Sequence, residues 1–213
     1  MARAFSSASS QYGELTGTFP NVPLTMACWF NRSAAQAQVI MAVGTGANAS
    51  RAGTWLDAGN YSNFVVSNST GSVTSNVAIT TATTAGVWYH LVGVTSSTTS
   101  RLAYLNGTAS STATTSVTMD TPDYIDLGTR TVGGTKAAYF SGRLADCAVW
   151  DAALTQDEVT SLYKGMSPLH IRPANLKFYA PLWGNASPEI NLCGGTVTLG
   201  NSPTKYDHPR IYS

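Results

Sequence analysis

The chain has 213 residues, and only 11% of them are charged, against about 25% in an average domain. The chain has 12 Lys and Arg residues and 11 Asp and Glu residues, which gives a net charge of +1 and a pI near 7.7. This balance excludes a strongly basic surface that neutralises nucleic-acid phosphates, and no run reaches the ~20 apolar residues of a membrane-spanning helix. We therefore expect neither a nucleic-acid partner nor a membrane partner.

Short strand-like runs recur along most of the chain, separated by Gly, Asn, Ser and Pro. Thr is frequent, and its branched Cβ favours extended backbone. Such runs at short spacing are typical of a sandwich or barrel. The pair Asn106-Gly107 favours positive φ at two successive positions and predicts a tight hairpin. The predicted strands cover residues 24–30, 38–43, 54–58, 63–67, 77–80, 88–96, 100–105, 124–128, 139–150 and 176–182.

One short helix is predicted near residues 156–164. Thr155 is placed to cap its first turn, and Glu158 three residues later completes the pattern of a capping box. Gly165 is a natural stop, because glycine adopts the left-handed conformation in which many helices end.

Residues after this helix change in character. The strand predicted over 176–182 is expected to complete the sheet of one domain over residues 1–184. Residues 185–213 are rich in Gly, Asn and Pro and poor in large apolar side chains, so we expect a C-terminal arm. Such an arm could order against a neighbouring subunit or cover its own domain.

The three cysteines are widely spaced, which does not resemble a disulfide framework. Cys28 and Cys147 stand inside apolar strand patterns, where cysteine acts as a small buried hydrophobe. A bridge between them is an open alternative if their strands are adjacent.

Several motifs together resemble one family. In chain order they are LTMACWF (24–30), WYHLVGV (88–94) with LAYLNG (102–107), YIDLG (124–128), FSGRLADCAVW (140–150) and ALTQDEV (153–159). They are similar to the laminin-G-like jelly-roll domains of the concanavalin A-like lectin/glucanase superfamily. The resemblance implies an all-β, two-sheet antiparallel sandwich. It also implies a core containing Trp29, Leu91, Val94, Leu127, Leu144, Val149 and Trp150.

The segment LKFYAPLWG (176–184) resembles the strand that often opens such domains, although here it comes late in the chain. This order predicts a circular permutation, which is physically cheap because the ends of sandwiches often lie close together. Domains with such a closing segment also resemble structural proteins of tailed bacteriophages.

Catalytic chemistry is not expected. A glycosidase needs two carboxylates across one cleft, and the few Glu residues, Glu14, Glu158 and Glu189, do not predict such a pair. The histidines His90, His170 and His208 lack a second His or Cys at ligand spacing, so no transition-metal site is expected.

Calcium is the one cofactor that the sequence does not exclude. The resemblance implies rim sites built from Asp, Asn and carbonyl oxygens, and Ca²⁺ takes six to eight oxygen ligands. Asp57, Asp120 and Asp123 are the candidate ligands, and solvated turn carboxylates are the alternative interpretation.

Carbohydrate contacts are predicted near one turn. Most tryptophans match core positions, whereas Trp55 and Tyr61 flank the turn at 58–60 and are better placed for a surface role. With Asn60 they form the candidate carbohydrate-binding set.

Three functions compete at this point. The main hypothesis is a non-enzymatic virion protein, assembled in the host cytoplasm because residues 1–12 lack the apolar core of a signal peptide, and carried on the virion surface as a decoration or fibre-associated protein. Its expected partners are the major capsid protein, cell-surface glycans and further copies of the chain in a homo-oligomer. The alternatives are a stand-alone carbohydrate-binding lectin module and a glucanase-like glycoside hydrolase.

Overall fold

The computed structural model describes residues 1–207, so the last six residues of the predicted arm lie outside the described part. Two antiparallel sheets and one α-helix, α1 (Gln156–Tyr163), make up the fold, with short 3-10 helices at Pro168–His170 and Pro173–Asn175. The strands are β1 (Ala2–Phe5), β2 (Tyr12–Thr16), β3 (Leu24–Arg32), β4 (Gln38–Gly44), β5 (Arg51–Leu56), β6 (Tyr61–Ser67), β7 (Thr74–Ala82), β8 (Tyr89–Ser97), β9 (Ser100–Leu105), β10 (Thr108–Ala109), β11 (Tyr124–Leu127), β12 (Arg130–Val132), β13 (Thr135–Ala137), β14 (Gly142–Trp150), β15 (Leu176–Ala180), β16 (Glu189–Ile190), β17 (Thr196–Gly200) and β18 (Thr204–Tyr206).

Sheet A has the strand order β10-β9-β8-β3-β14-β1-β18, and sheet B has the order β16-β17-β2-β11-β4-β5-β6-β7. The hairpin of β12 and β13 forms a small sheet of its own. The predicted all-β sandwich with one short helix is confirmed.

Strand β14 is paired on both sides. Its whole length pairs with β3, while β1 and β15 follow one another along its other edge, at Gly142–Leu144 and at Cys147–Trp150. Asp146 lies in the bulge between these stretches with φ 48°, and its N–H donates to Pro181 O over 3.3 Å. The strand predicted at 176–182 is thus present as β15 and completes an edge that β1 covers only in part.

The sheets enclose one core. It includes Phe30, Phe64, Phe140 and Phe178, none of which is exposed to solvent. Fully burying a side chain of this size is worth about 2–3 kcal/mol, so this core is the main source of stability. The seven core residues predicted from the sequence are all buried, which confirms that prediction.

A second apolar cluster lies on the outer face of sheet A. Trp150 packs there against Val159 and Leu162 of α1, and its indole Nε1 donates to Ile171 O over 2.8 Å. The capping box is present, with Thr155 accepting from Glu158 N and Glu158 accepting from Thr155 N. The helix therefore covers one face of sheet A.

Several expectations differ from the structure. The predicted strand 54–58 is Arg51–Leu56, because residues 57–60 form the turn. The strand predicted over 139–150 begins only at Gly142. Asn106 and Gly107 do have the predicted positive φ, of 51° and 78°.

The predicted C-terminal arm includes regular structure. Within residues 185–207, β17 pairs with β2 in sheet B and β18 pairs with β1 in sheet A. The described part of this segment therefore extends both sheets, which corresponds to the alternative in which it covers its own domain. The boundary at residue 184 stays a prediction.

Cys28 and Cys147 are buried free thiols on the neighbouring strands β3 and β14, and Cys193 is an exposed free thiol. Burial and the adjacent Cys28 thiol raise the pKa of Cys147. No helix within residues 1–207 has the length and apolar character needed to cross a bilayer.

Candidate functional site

The outer face of sheet B, turned away from the core, carries the candidate site. Side chains alternate across a strand, so Ala52 and Leu56 of β5 enter the core while Arg51, Gly53 and Trp55 project outward. Trp55 pairs across the sheet with Asn63 on β6, which in turn pairs with Ala78 on β7. The site therefore lies where β5, β6 and β7 form an open surface.

The Trp55 indole lies over Gly53. A Cβ at Gly53 would stand 2.7 Å from Trp55 Nε1, so any side chain there would displace the ring. Val39, Ala42 and Tyr124 form a small apolar cluster against which Trp55 packs. The indole is only partly buried, and its Nε1 atom has no hydrogen-bond partner.

Two arginines accompany this ring. The guanidinium carbon of Arg51 lies 5.5 Å from the ring centre of Trp55, and that of Arg130 lies 4.7 Å from it. Both distances fall within the range of a cation–π interaction. Burial, and secondly the positive charge of Arg130, lower the pKa of Arg51, and burial lowers the pKa of Arg130.

Neither arginine has a carboxylate partner. Within residues 1–207 no salt bridge involves Arg51 or Arg130. Arg51 Nη1 donates to Ala49 O over 2.8 Å, but the Nε atoms of both arginines are buried without a partner. Two positive charges, each with an unpaired Nε–H, therefore lie beside an indole whose own Nε1–H is also unpaired.

The β12–β13 hairpin brings Arg130 to this position. Lys136 on β13 forms salt bridges with Asp126, at 2.9 Å, and with Glu14. Thr131 Oγ1 donates to Asp126 Oδ2 over 2.8 Å, and the Tyr124 hydroxyl donates to Thr131 O over 2.7 Å. These contacts hold the hairpin against the outer face of β11.

Burial affects the protonation of this network. It raises the pKa of the fully buried Asp126 carboxyl, although the Lys136 charge and hydrogen bond act in the opposite direction. Burial opposes the charge of Lys136, but Asp126 and Glu14 together raise its pKa. Burial and the nearby Asp126 also raise the pKa of Tyr124, so its hydroxyl keeps its proton.

The structure places the predicted carbohydrate-binding residues at one end of this surface. Tyr61 is 40% exposed, and Asn60 lies beside it in the turn with φ 68°. Asn60 Oδ1 is buried without a partner. Trp55 and Tyr61 share the outer face, so the structure brings together the residues that the sequence singled out, and their role in sugar binding stays a prediction.

The three predicted calcium ligands do not lie close enough together to bind one ion. Asp57 accepts from Tyr61 N over 3.0 Å and Asn63 Nδ2 over 3.3 Å, in the turn that follows β5. Asp120 accepts from Asn48 Nδ2 and Asp123 from Gly46 N, both beyond the start of β5. A strand of this length separates the two groups by roughly 20 Å. Each carboxylate already accepts a hydrogen bond from a neighbouring loop or turn residue.

Other chemistry-bearing groups are engaged in packing. Glu14 and Asp126 are cross-strand partners, but Lys136 bridges both and Asp126 has no exposed surface. His90 is 3% exposed, and burial lowers its pKa to about 3, so it stays neutral. Among residues 1–207 no three His, Cys, Asp or Glu side chains cluster as metal ligands would.

A separate groove lies on the outer face of sheet A. Its volume is about 580 Å³, and Trp29, His90, Asp146, Tyr179 and Trp183 line it. Asp146 accepts from the Tyr179 hydroxyl over 2.8 Å, and Trp183 is 43% exposed. The rings of His90 and Tyr163 stack beside it. Asp146 and Tyr179 are thus paired with each other, whereas His90 Nδ1 is buried without a partner.

The sequence patterns do not single out Arg51, Arg130 or Lys136. Arg51 precedes the predicted strand, and the other two belong to a hairpin that was not predicted. One signal was available, because Gly133-Gly134 is a hairpin turn sequence, and both glycines have positive φ.

Fold and site together define a lectin-like β-sandwich. A family model described as the concanavalin A-like lectin/glucanases superfamily matches residues 7–160. The match covers most of the chain, so the chain belongs to this family of laminin G-like domains. A search of curated proteins gives no match.

Solved structures share this fold. A pentraxin from Limulus polyphemus has a TM-score of 0.63 at 18% identity, over 89% of this chain and 88% of that one. A protein from Bacteroides ovatus described as a carbohydrate-binding protein has a TM-score of 0.67 at 17% identity, over 95% of this chain and 60% of that one. The sialidase module CBM40 from Ruminococcus gnavus, bound to α2,3-sialyllactose, has a TM-score of 0.57 at 16% identity, over 68% and 84%. At these identities the likeness shows the fold.

Proposed function

We propose that this chain is a non-catalytic carbohydrate-binding module, and that the outer face of sheet B holds the saccharide. One observation carries this proposal: a partly exposed indole lies on an open sheet face, among N–H donors that have no partner in the fold. Buried polar groups in native proteins are nearly always paired, so these unpaired buried donors mark a part of the sheet whose polar groups the fold itself leaves incomplete.

The surrounding surface suits a sugar ring. Ala78 keeps the face flat beside the Trp55 ring, while Asn76 contributes an exposed amide group and Tyr61 an exposed ring. Saccharides combine apolar faces with hydroxyl groups and need both kinds of contact. Such contacts come from rigid strands, so the surface is formed before the ligand arrives.

The comparisons support this proposal, because two of the solved structures with this fold are described as carbohydrate-binding or contain a bound saccharide. Hydrolysis is the weaker candidate. The Glu14 and Asp126 carboxylates are held by Lys136 and leave no room for a glycosidic bond between them.

The hypothesis of a virion protein stays a prediction. Neither the fold nor the comparisons bear on a capsid partner, a particle or a homo-oligomer, and no observation of the described residues favours them over saccharide binding.

A glycan array followed by titration calorimetry tests the proposal. We expect the wild-type chain to bind at least one glycan class, and Trp55→Phe and Tyr61→Ala to weaken that binding at least fivefold. Trp55→Phe keeps a ring and removes the indole N–H. Trp183→Ala is the matched control, because it removes an exposed tryptophan from the other sheet. Equal loss in the control, or no glycan bound by the wild type, contradicts the proposal.

A further inference from the structure

We propose that the saccharide is acidic, and that Arg51 and Arg130 bind its negatively charged group beside Trp55. This inference rests on the proposed function and adds the chemical class of the ligand. Nothing in the composition predicts it, since the chain as a whole is almost neutral.

The first support is uncompensated charge. Arg51 is 8% exposed and lies close enough to Arg130 for the two charges to repel each other. Burying a charge without a partner is costly, and placing two like charges together adds to that cost. A bound anion between them would offset both costs.

The second support is the contrast with other buried cations of this chain. Arg3 pairs with Glu189 at 2.6 Å, and Lys136 pairs with Asp126 and Glu14. Arg101 lies against the carbonyls of Thr98, Thr115 and Val117, and Arg32 against Thr83. Within residues 1–207 the fold thus supplies acceptors to these cations and, through Ala49 O, to Arg51, whereas the half-buried Arg130 guanidinium has none.

The nearest carboxylates are already occupied. Asp126 is held by Lys136 and Thr131, and Asp123 accepts from Gly46 N over 2.7 Å. Tyr124, which also faces Arg51, keeps its proton and carries no charge. Among the described residues no carboxylate is therefore paired with either guanidinium group.

The donors match an oxyanion. A guanidinium presents its N–H groups as a planar fork that binds two oxygens at once, and carboxylate offers two such oxygens. A sulfate ester offers three. Carboxylated sugars and sulfated sugars share this chemistry, and the ring of either would extend over Ala78 toward Tyr61.

The test is an array that holds neutral, carboxylated and sulfated forms of the same glycans, read with the full chain, Arg130→Gln, Arg130→Lys and Arg51→Lys. We expect binding to be concentrated on acidic glycans. Arg130→Gln should weaken it at least tenfold, and the lysine variants less. Raising NaCl from 50 to 500 mM should also weaken it, because charges at a surface are screened.

Arg143→Gln is the matched control. Arg143 also lies over an aromatic ring, at 3.5 Å from the centre of Tyr206, but on sheet A. Thermal unfolding of each variant identifies a folding defect, and a folded Arg130→Gln that keeps full affinity for acidic glycans overturns the inference.

The outcomes separate the two proposals. Binding to neutral glycans that the arginine variants leave unchanged overturns the acidic ligand and leaves carbohydrate binding in place. No binding to any glycan overturns both. Preference for the carboxylated over the sulfated set, or the reverse, identifies the source of the charge.

Discussion

Arg130 lies over the ring of Trp55 at 4.7 Å, although β12, which carries Arg130, is not a strand of sheet B. The contact exists because the hairpin folds back over the sheet and is fixed there through Lys136 and Asp126. The geometry of the candidate site thus depends on a salt bridge that does not face the ligand.

Replacing Lys136 with Met should destabilise the fold and the site together. The change leaves the fully buried Asp126 without its positive partner, which typically costs about 3 kcal/mol. Urea unfolding measures the loss, and saccharide titration of the folded fraction should show weaker binding because Arg130 is released. Lys177→Met is the control, since its pair with Asp151 is exposed and worth less than about 1 kcal/mol. Equal losses of unfolding free energy in the two variants would show that the buried Lys136–Asp126 pair stabilises the fold no more than an exposed pair does.

His90 should make the fold sensitive to mild acid. Burial lowers its pKa to about 3, below the 6.5 of the unfolded chain, so between these values only the unfolded state takes up the proton. Stability contributed by neutral His90 is complete above pH 6.5 and is lost as the pH falls. Between pH 7 and pH 5 this amounts to about 2 kcal/mol. In His90→Gln the difference in unfolding free energy between these pH values should shrink by that amount, and an unchanged difference would rule out His90 as its source.

Gly93→Ala should be strongly destabilising. A Cβ at this position would lie within 2.6 Å of three ring atoms of Phe64, in the centre of the core. Overpacking of this kind costs about 1–3 kcal/mol, because the ring cannot move without displacing its neighbours. Gly46→Ala serves as the comparison, since a Cβ there meets only Asp123 Oδ1 at 3.6 Å. Thermal denaturation should show a clear drop for the first variant alone.

Glu189→Gln should loosen the junction of the two chain ends. The Glu189 carboxylate, 1% exposed, accepts from Arg3 Nε over 2.6 Å and from Gly184 N over 2.8 Å. Removing its charge leaves the buried Arg3 with only the carbonyls of Pro203 and Ala186 as acceptors, at a cost of about 2 kcal/mol. Hydrogen exchange should then accelerate in β1 and β18. Asp157→Asn, at an exposed helix start, should change stability by only about 0.5 kcal/mol.

The central strands were predictable because their patterns are long and apolar. β3, β8 and β14 are each nine residues long and almost entirely buried, and α1 begins with a capping box. The missed strands are short, such as β16 with two residues and β18 with three. β18 pairs with β1 at the other end of the described chain, and the short β16–β17 hairpin joins sheet B only through the pairing of β17 with β2, which no local pattern records.

The residues of the candidate site show the same difference between local sequence patterns and tertiary contacts. Trp55 and Tyr61 were found because large aromatics beside a turn are visible in the sequence. Arg51 and Arg130 gain their meaning only from a tertiary contact that brings both onto one indole. Asp57, Asp120 and Asp123 were grouped because they are similar residue types in turns, and β5 separates Asp57 from the other two. Their role as calcium ligands stays a prediction.

The pairing of β1 with β18 has a mechanical consequence. Ala2 is the cross-strand partner of Tyr206, and Ala4 is the partner of Thr204. Residues 1 and 207 therefore lie at the same end of this strand pair. Tension applied between residues 1 and 207 would therefore open this ladder one pair at a time instead of shearing all pairs together. Since the ladder has only three pairs, β18 would detach at low force, while the longer pairing of β3 with β14 would still hold the sandwich closed.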